Sequence, residues 1–276
     1  MNKGRIVKIV SDDYTIATAK ERIVCKAKGI FRLQKITPMV GDLVEFSDEK
    51  VINKIYPRKN QLQRPFVSNV DQVVIVMSTN HPKLSTYLLD KLIVIIEYNR
   101  IIPVICFTKI DLLTNKTLFS NIKSYYKKIG YQVFTNENND ILKIFTNKIT
   151  VFAGQTGAGK SSLLNQLDKR LQIKTDEISK ALGRGKHTTR HVELYDLGGG
   201  FVADTPGFSA LDLQAISKES IRDSFVEFKE LRQHCQYRNC FHIHEEDCQV
   251  KKEVAVGTIL KSRYQNYLKF CEEVLK

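Results

Sequence analysis

The sequence has 276 residues, of which 42% are apolar and 26% charged, a composition typical of a folded soluble protein and not of a disordered chain. No run approaches the roughly 18–20 apolar residues that a helix needs to cross a bilayer, so composition argues against a membrane protein. The first residues lack the apolar stretch of a secretory signal, and we therefore expect a cytoplasmic location.

The net charge of +13 is distributed unevenly. Residues 1–65 contain 14 basic and seven acidic side chains, whereas residues 211–276 contain 11 of each. A basic N-terminal segment favours a polyanionic partner, because neutralising phosphates releases counterions and drives association. The alternative is a soluble protein that has a high isoelectric point and no such partner.

The first quarter of the chain predicts a small β-barrel. Turn signals separate short strands, which are Gly4–Val10, Tyr14–Ala19, Arg22–Ala27, Leu43–Phe46 and Val51–Ile55. Five strands in about 60 residues favour a closed barrel of the OB type, although an SH3-like barrel has nearly the same pattern. We assign residues 1–65 to an OB-like barrel.

From residue 71, apolar strands alternate with amphipathic helices. The predicted elements are strand Val73–Ser78, helix Leu84–Tyr98, strand Ile101–Phe107, helix Phe119–Ile129, strands Gln132–Thr135 and Ile149–Ala153, and a hairpin of His191–Leu197 with Phe201–Asp204. This alternation predicts a parallel, doubly wound sheet. We assign 66–212 to this α/β domain and 213–276 to a helical domain. Its last helix, Thr258–Leu275, has an apolar stripe that we interpret as packing surface.

A complete Walker A pattern follows the strand Ile149–Ala153. It consists of Gly154, Gln155, Thr156, Gly157, Ala158, Gly159, Lys160 and Ser161, and the predicted helix begins at Ser162, which we include in the nucleotide site. The glycines allow backbone N–H groups to surround phosphates, and the helix N-terminus adds positive potential. We expect Lys160 to contact the β- and γ-phosphates and the Ser161 hydroxyl to bind Mg²⁺.

Two later segments have the spacing of GTPase switch regions. Asp204-Thr205-Pro206-Gly207 begins about 50 residues after the Walker A pattern. We expect Asp204 to hold Mg²⁺ and the Gly207 N–H to sense the γ-phosphate. The second segment, 183–190, lies between the Walker A pattern and Asp204. It contains Thr188 and Thr189, and we favour Thr189 as a Mg²⁺ ligand. A basic surface loop is the alternative for 183–190.

A guanine-recognition motif precedes the Walker A pattern. Thr108-Lys109-Ile110-Asp111 resembles Asn-Lys-x-Asp. The Asp111 carboxylate can accept hydrogen bonds from the N1–H and 2-amino groups of guanine, which adenine lacks, and the Lys109 stem would cover the base. Thr108 replaces an asparagine amide that could contact the base and brace the Walker loop, a departure that bears on affinity more than on the preference for guanine. Backbone groups of Thr135-Asn136-Glu137 are expected to contact guanine O6.

The order of these motifs is that of a circularly permuted GTPase, because an ordinary GTPase begins with its phosphate loop. Phe208 stands where Ras-like proteins have a water-orienting glutamine, and its ring cannot polarise water, so unaided hydrolysis should be slow. His187 is the candidate substitute, together with Lys160 and Thr189 as catalytic groups. An exposed or phosphate-contacting role is the alternative for His187.

Three cysteines and a histidine are clustered near the C-terminus. The cluster consists of Cys235, Cys240, His242 and Cys248, a set typical of structural Zn²⁺ with no open coordination position. His234 and His244 compete with His242 for the fourth position. Cys25, Cys106 and Cys271 are scattered and are expected to be ordinary thiols.

The combination of barrel, permuted GTPase and Cys₃His module resembles the ribosome small subunit-dependent GTPase A family over nearly the whole chain. Arg64-Pro65 and Asn69-Val70-Asp71-Gln72 add to this resemblance. It implies a bacterial GTPase that is stimulated by the small ribosomal subunit in late assembly, with an rRNA-binding barrel, a zinc domain that contacts the subunit, and a catalytic His187. In the barrel, lysines and arginines offer phosphate contacts, and Tyr14 and Phe31 offer stacking surfaces.

Two other function classes remain open at this point. A metabolic P-loop ATPase or kinase is disfavoured by Asp111, and a nonenzymatic RNA-binding scaffold by the intact Lys160, Ser161 and Asp204. We expect GTP and GDP as ligands, Mg²⁺ with the nucleotide, one structural Zn²⁺, no membrane contact and a monomer.

Overall fold

The computed structural model describes residues 2–63, 65–170, 192–203, 213 and 216–274. The first part is a closed barrel in the order β1-β2-β3-β5-β4. Its strands are β1 (Asn2–Val10), β2 (Asp13–Ala17), β3 (Arg22–Ala27), β4 (Leu43–Phe46) and β5 (Val51–Ile55), with a helical turn α1 (Ile30–Leu33) between β3 and β4. Alternate residues such as Ile6, Ile16 and Phe46 fill the interior, which confirms the predicted OB-like barrel.

A short hairpin that the sequence did not predict connects the barrel to the rest of the chain. It pairs β6 (Gln61–Gln63) with β7 (Phe66–Ser68). The buried carboxylate of Asp42 accepts hydrogen bonds from Arg58 Nε at 2.7 Å and from the Ser68 hydroxyl at 2.6 Å. Because a buried charge must be paired, this contact fixes the hairpin against the barrel.

The second part is a six-stranded sheet in the order β10-β9-β8-β11-β13-β12. Its strands are β8 (Gln72–Ser78), β9 (Ile102–Thr108), β10 (Gln132–Thr135), β11 (Ile149–Ala153), β12 (Leu194–Leu197) and β13 (Gly200–Ala203), and its helices are α2 (Thr86–Tyr98), α3 (Lys116–Lys128) and α4 (Lys160–Leu167). The pairs from β10 to β13 are parallel, and β12 runs antiparallel to β13. The predicted doubly wound sheet is confirmed.

Capping side chains explain where α2 and α3 begin. The Asn115 side chain accepts a hydrogen bond from the Leu118 N–H at 2.9 Å, so α3 begins at Lys116, three residues before the predicted Phe119. The Ser85 hydroxyl accepts from the Leu88 N–H at 3.2 Å, so α2 begins at Thr86. The apolar pattern used for the prediction does not register such polar caps.

The C-terminal part consists of short helices packed on α2. These are α5 (Lys218–Asp223), α6 (Val226–Leu231), α7 (Gln249–Ala255) and α8 (Lys261–Glu273). Phe225, Tyr267 and Phe270 are fully buried and form a core with Val94 and Ile95 of α2. The packing stripe predicted for the last helix is therefore confirmed, although that helix begins at Lys261 and not at Thr258.

A buried ion network joins α8 to the sheet domain. Arg263 Nη1 donates to Asp90 of α2 at 2.6 Å, and Arg263 Nε donates to Glu227 of α6 at 2.6 Å. Asp90 also accepts from the Tyr126 hydroxyl at 2.5 Å and from Asn266 at 2.7 Å. Burial opposes the charge of Arg263, but the two carboxylates raise its pKa well above the usual value, so it is ionised.

Arg263→Met should destabilise the protein strongly, because it leaves the buried carboxylates of Asp90 and Glu227 without their cation. We expect the free energy of unfolding in urea to fall by about 3–5 kcal/mol. Lys269→Met, which removes an exposed charge from the same helix, is the control and should change the value by less than about 0.5 kcal/mol. Equal losses in the two variants would contradict this account of Arg263.

Candidate functional site

The guanine-type motif and the Walker A loop meet at the carboxyl edge of the sheet. Strand β9 ends at Thr108 and β11 ends at Ala153, and both pair in parallel with β8. In open parallel sheets, ligands bind beyond the carboxyl ends of the strands. The two motifs therefore lie on one ligand-binding edge, although 42 residues separate Asp111 from Gly154 in the sequence.

The geometry of the Walker loop requires its glycines. Gly154 has φ +131°, and a Cβ atom there would lie 2.2 Å from the Val76 carbonyl oxygen, so no other residue fits. Gly159 adopts a left-handed conformation with φ 89° immediately before α4. The ammonium group of Lys160 donates to the carbonyl oxygens of Gly154 at 2.7 Å and Gln155 at 3.0 Å, which holds it across the loop where phosphates would bind.

Thr108 braces the Walker loop, so the expectation that it removes this brace was wrong. Its hydroxyl is buried and donates to the Ala158 carbonyl oxygen at 2.5 Å. Lys109, in a left-handed conformation with φ 56°, donates from Nζ to the Gly157 carbonyl oxygen at 2.8 Å. Because the end of β9 packs directly beside the loop, the threonine side chain, which is shorter than that of asparagine, reaches the Ala158 carbonyl oxygen. No sequence pattern reveals this packing.

The Asp111 carboxylate lies exposed in a 3₁₀ turn, Ile110–Leu112, directly after these two residues. The Asn136 N–H donates to the Phe107 carbonyl at 2.9 Å, and the Asn136 carbonyl accepts from Gln166 at 2.8 Å. The contact to guanine O6 expected from Thr135-Asn136-Glu137 stays a prediction. The buried Oδ1 atom of Asn136 has no hydrogen-bond partner among the residues that the structure describes.

The remaining predicted site residues are divided between two groups. Thr156, Gly157, Ala158, Ser161 and Ser162 lie in the described loop and the first turn of α4, where Ser161 is 7% exposed. The candidate switch residues fall outside the described residues, and these are His187, Thr188, Thr189, Asp204, Gly207 and Phe208. Their roles stay predictions.

The predicted metal ligands converge at one point in the C-terminal domain. The ligand atoms of Cys235, Cys240, His242 and Cys248 all lie within 4.8 Å of one another. His242 Nδ1 is 3.3 Å from Cys248 Sγ and 3.7 Å from Cys235 Sγ. Ligands at roughly 2.3 Å from a tetrahedral ion are separated by such distances. His234 and His244 are exposed and outside the cluster, so His242 is the histidine that the fold places with the thiols.

The surroundings of this cluster favour a cation. Burial raises the pKa of the Cys240 and Cys248 thiols, so two thiolates there need a positive charge beside them. Burial lowers the pKa of His242 to about 4, which keeps the imidazole neutral. The Glu245 carboxylate accepts hydrogen bonds from the N–H groups of Phe241 and Ile243, and these lower its pKa to about 2 against the effect of burial. This carboxylate orders the ligand loop.

Family models match most of the chain. The model of the RsgA N-terminal domain matches residues 3–52, and the model of the RsgA GTPase matches residues 55–214. The chain belongs to the RsgA GTPase family. Among relatives, the small ribosomal subunit biogenesis GTPase RsgA 2 of Oceanobacillus iheyensis is 48% identical over 99% of this chain and 98% of its own length. RsgA of Bacillus subtilis is 43% identical with the same coverage.

Solved structures support the same assignment. YloQ, described as a circularly permuted GTPase, superimposes with a TM-score of 0.84 at 39% identity and covers 100% of this chain and 95% of its own. YjeQ from Thermotoga maritima superimposes with a TM-score of 0.86 at 35% identity, covering 99% and 98%. The predicted circular permutation is confirmed. In the described part of the chain, no helix is long and apolar enough to span a membrane.

Thr108→Val should weaken nucleotide binding, because it keeps the size of the side chain but leaves the Ala158 carbonyl without its donor. We expect the affinities for GDP and GTP to fall together by roughly three- to tenfold, the effect of one lost hydrogen bond. Fluorescent nucleotide titration measures this, and Thr108→Ser, which keeps the hydroxyl, is the control. Wild-type affinity in the valine variant would show that the Thr108 hydroxyl does not support nucleotide binding.

Proposed function

We propose that this chain hydrolyses GTP to GDP and phosphate in late assembly of the small ribosomal subunit, and that the subunit stimulates the reaction. The observation that carries this proposal is similarity over nearly the full length to proteins named for small ribosomal subunit biogenesis. We place the protein in the cytoplasm as a monomer, with functional domains at 1–65, 66–212 and 213–276.

Each part of the nucleotide has an assigned group. Asp111 reads the guanine N1–H and 2-amino groups, and the stem of Lys109 covers the ring. Lys160 contacts the β- and γ-phosphates, and the backbone of 154–159 surrounds them. The Mg²⁺ ligands that we assign are Ser161, Thr189 and Asp204, and Gly207 senses the γ-phosphate. The ammonium of Lys160, held by carbonyl oxygens of the loop, supports this assignment.

The hydrolytic step depends on a residue outside the Walker loop. Phe208 offers no group that polarises water, so the chain alone turns over slowly. We assign His187 to the orientation of the attacking water, as an imidazole that accepts a hydrogen bond from it. The subunit then acts on this step, which makes hydrolysis depend on the partner.

The ion of the C-terminal cluster is Zn²⁺ in this proposal. A donor set of three thiolates and one imidazole selects Zn²⁺, which binds such ligands tetrahedrally. Mg²⁺ and Ca²⁺ prefer oxygen ligands. Four protein ligands leave no open position, so the ion is structural. It joins Cys235, which follows α6, to Cys248, which precedes α7, and it presents this domain to the subunit.

GTP hydrolysis measured with and without purified small ribosomal subunits tests the main proposal. We expect slow turnover alone, strong stimulation by subunits, and no comparable turnover of ATP. Equal turnover of GTP with and without subunits would contradict the assigned partner. Nucleotide binding without turnover in either condition would favour an RNA-binding scaffold.

Two variants in the same assay separate base reading from hydrolysis. Asp111→Asn places an amide donor opposite the 2-amino group of guanine, which is also a donor, so the affinity for GTP should fall at least about tenfold. XTP has a carbonyl at the 2-position, which can accept from this amide, so the variant should bind XTP. His187→Ala should leave GTP affinity unchanged and abolish the stimulated turnover. Full stimulation in the alanine variant would exclude His187 from the reaction.

Metal analysis tests the C-terminal cluster. We expect one zinc per chain, and we expect Cys240→Ala to lose it together with thermal stability. Cys271→Ala is a matched control, because Cys271 is equally buried in the same domain but lies outside the cluster. Purified protein without stoichiometric zinc, or retention of zinc by the Cys240 variant, would contradict the assignment.

A further inference from the structure

A side chain near the end of the Walker helix holds the loop that follows β10. The Gln166 amide of α4 donates from Nε2 to the Asn136 carbonyl oxygen at 2.8 Å. Gln166 comes six residues after Lys160, which is roughly 9 Å along the helix axis. The loop 135–137 is therefore bonded to the same helix that begins with the phosphate-contacting lysine.

The other support of this loop comes from the sheet. In the described sheet, β10 is an edge strand and pairs with β9 alone. On that side, the Asn136 N–H donates to the Phe107 carbonyl oxygen at 2.9 Å. The side chain of Asn136 contributes no such bond through its buried Oδ1 atom, which has no partner among the described residues. The Gln166 amide thus supplies the second attachment of the loop, on the side of the Walker helix.

The contacts between the guanine-type motif and the Walker loop do not replace this attachment. Thr108 bonds to the Ala158 carbonyl oxygen and Lys109 to that of Gly157, so both contacts lie at two consecutive residues. Attachment at two adjacent points leaves rotation about the line between them open. Gln166 makes its contact eight residues beyond Ala158 and to a different strand end, so it limits that rotation.

We propose that Gln166 is a positioning residue for base recognition, which holds the loop 135–137 where its N–H groups meet guanine O6. The inference deepens the proposed function and rests on its assignment of guanine. A residue that contacts a ligand is precise only when a second residue fixes its place, and Gln166 has that relation to the loop. The base and the phosphates are then read at a fixed spacing, because both contacts belong to one helix-bonded unit.

The position of Gln166 makes this role separable from folding. Its side chain is exposed, so water can replace its hydrogen bond to the Asn136 carbonyl when the amide is removed. We therefore expect Gln166→Leu to unfold at the wild-type temperature. Its effect should appear only when a ligand needs the loop in place.

Comparison of GDP with 6-thio-GDP isolates the contact at position 6 of the base. The analogue keeps the N1–H and 2-amino groups that Asp111 reads, but it has sulfur, a weak acceptor, in place of O6. Both ligands are titrated calorimetrically into the full-length protein with Mg²⁺. The variants are Gln166→Leu, Gln166→Lys, which keeps a donor of similar reach, and Gln132→Leu. The last is the matched control, because Gln132 is an exposed glutamine at the opposite end of β10.

A positioning role predicts a selective loss. In Gln166→Leu, the affinity for GDP should fall by roughly three- to tenfold and that for 6-thio-GDP by less than about twofold. Gln166→Lys should retain the wild-type preference for GDP over the analogue, and Gln132→Leu should change neither affinity. Unchanged GDP affinity in Gln166→Leu, or equal weakening of both ligands, would overturn the proposal, since a merely structural role does not depend on the atom at position 6.

The wild-type protein in the same titrations separates this inference from the proposed function. Equal affinities for GDP and ADP would contradict the guanine assignment and, with it, the role of Gln166. A clear preference for GDP over ADP, together with full retention of the preference for GDP over 6-thio-GDP in Gln166→Leu, would contradict only the role of Gln166.

Discussion

Parallel pairing of β8 with β9 on one side and β11 on the other determines where the nucleotide chemistry takes place. Backbone pairing aligns Ser78 with Thr108 and Ile75 with Ala153, so the two motif-bearing strands end at the same edge. The Val76 carbonyl then lies so close to Gly154 that this position admits no side chain. Because the site depends on which strands are neighbours and not on their order in the chain, a circular permutation can move the termini and leave the site intact.

The same central strand connects the site to the C-terminal domain. After β8, the Thr79 hydroxyl donates to the Lys109 carbonyl at 2.6 Å, which fixes the loop that leads into α2. Helix α2 then offers Asp90 to Arg263, and Val94 and Ile95 to the C-terminal core. A hydrophobic interface alone would allow sliding, whereas the directional hydrogen bonds of a buried guanidinium fix the orientation of the two domains. The helix is therefore held at both its beginning and its middle.

Backbone-dominated features could be predicted from the sequence. The Walker loop and the strands Arg22–Ala27, Leu43–Phe46 and Val51–Ile55 were predicted with their observed bounds, because glycine spacing and apolar alternation are local signals. Features that depend on side chains meeting across elements could not. The Thr108 brace and the Arg263 network are examples, since each partner comes from a separate segment of the chain. Phe31 was predicted as a stacking surface but is 6% exposed and packs into the barrel core.

The net charge of the barrel overstates the number of basic side chains that can contact a polyanion, because several of them already have structural partners. Arg58 neutralises the buried Asp42, and Arg5 donates to the Gly41 carbonyl oxygen at 2.6 Å. Lys8 and Arg22 pair at 2.7 Å and 2.5 Å with Glu193 and Asp196 at the edge of the sheet, so they dock the barrel on its neighbour. Each phosphate contact needs a cation that is free to exchange its counterions, so the number of such contacts is set by the remaining lysines.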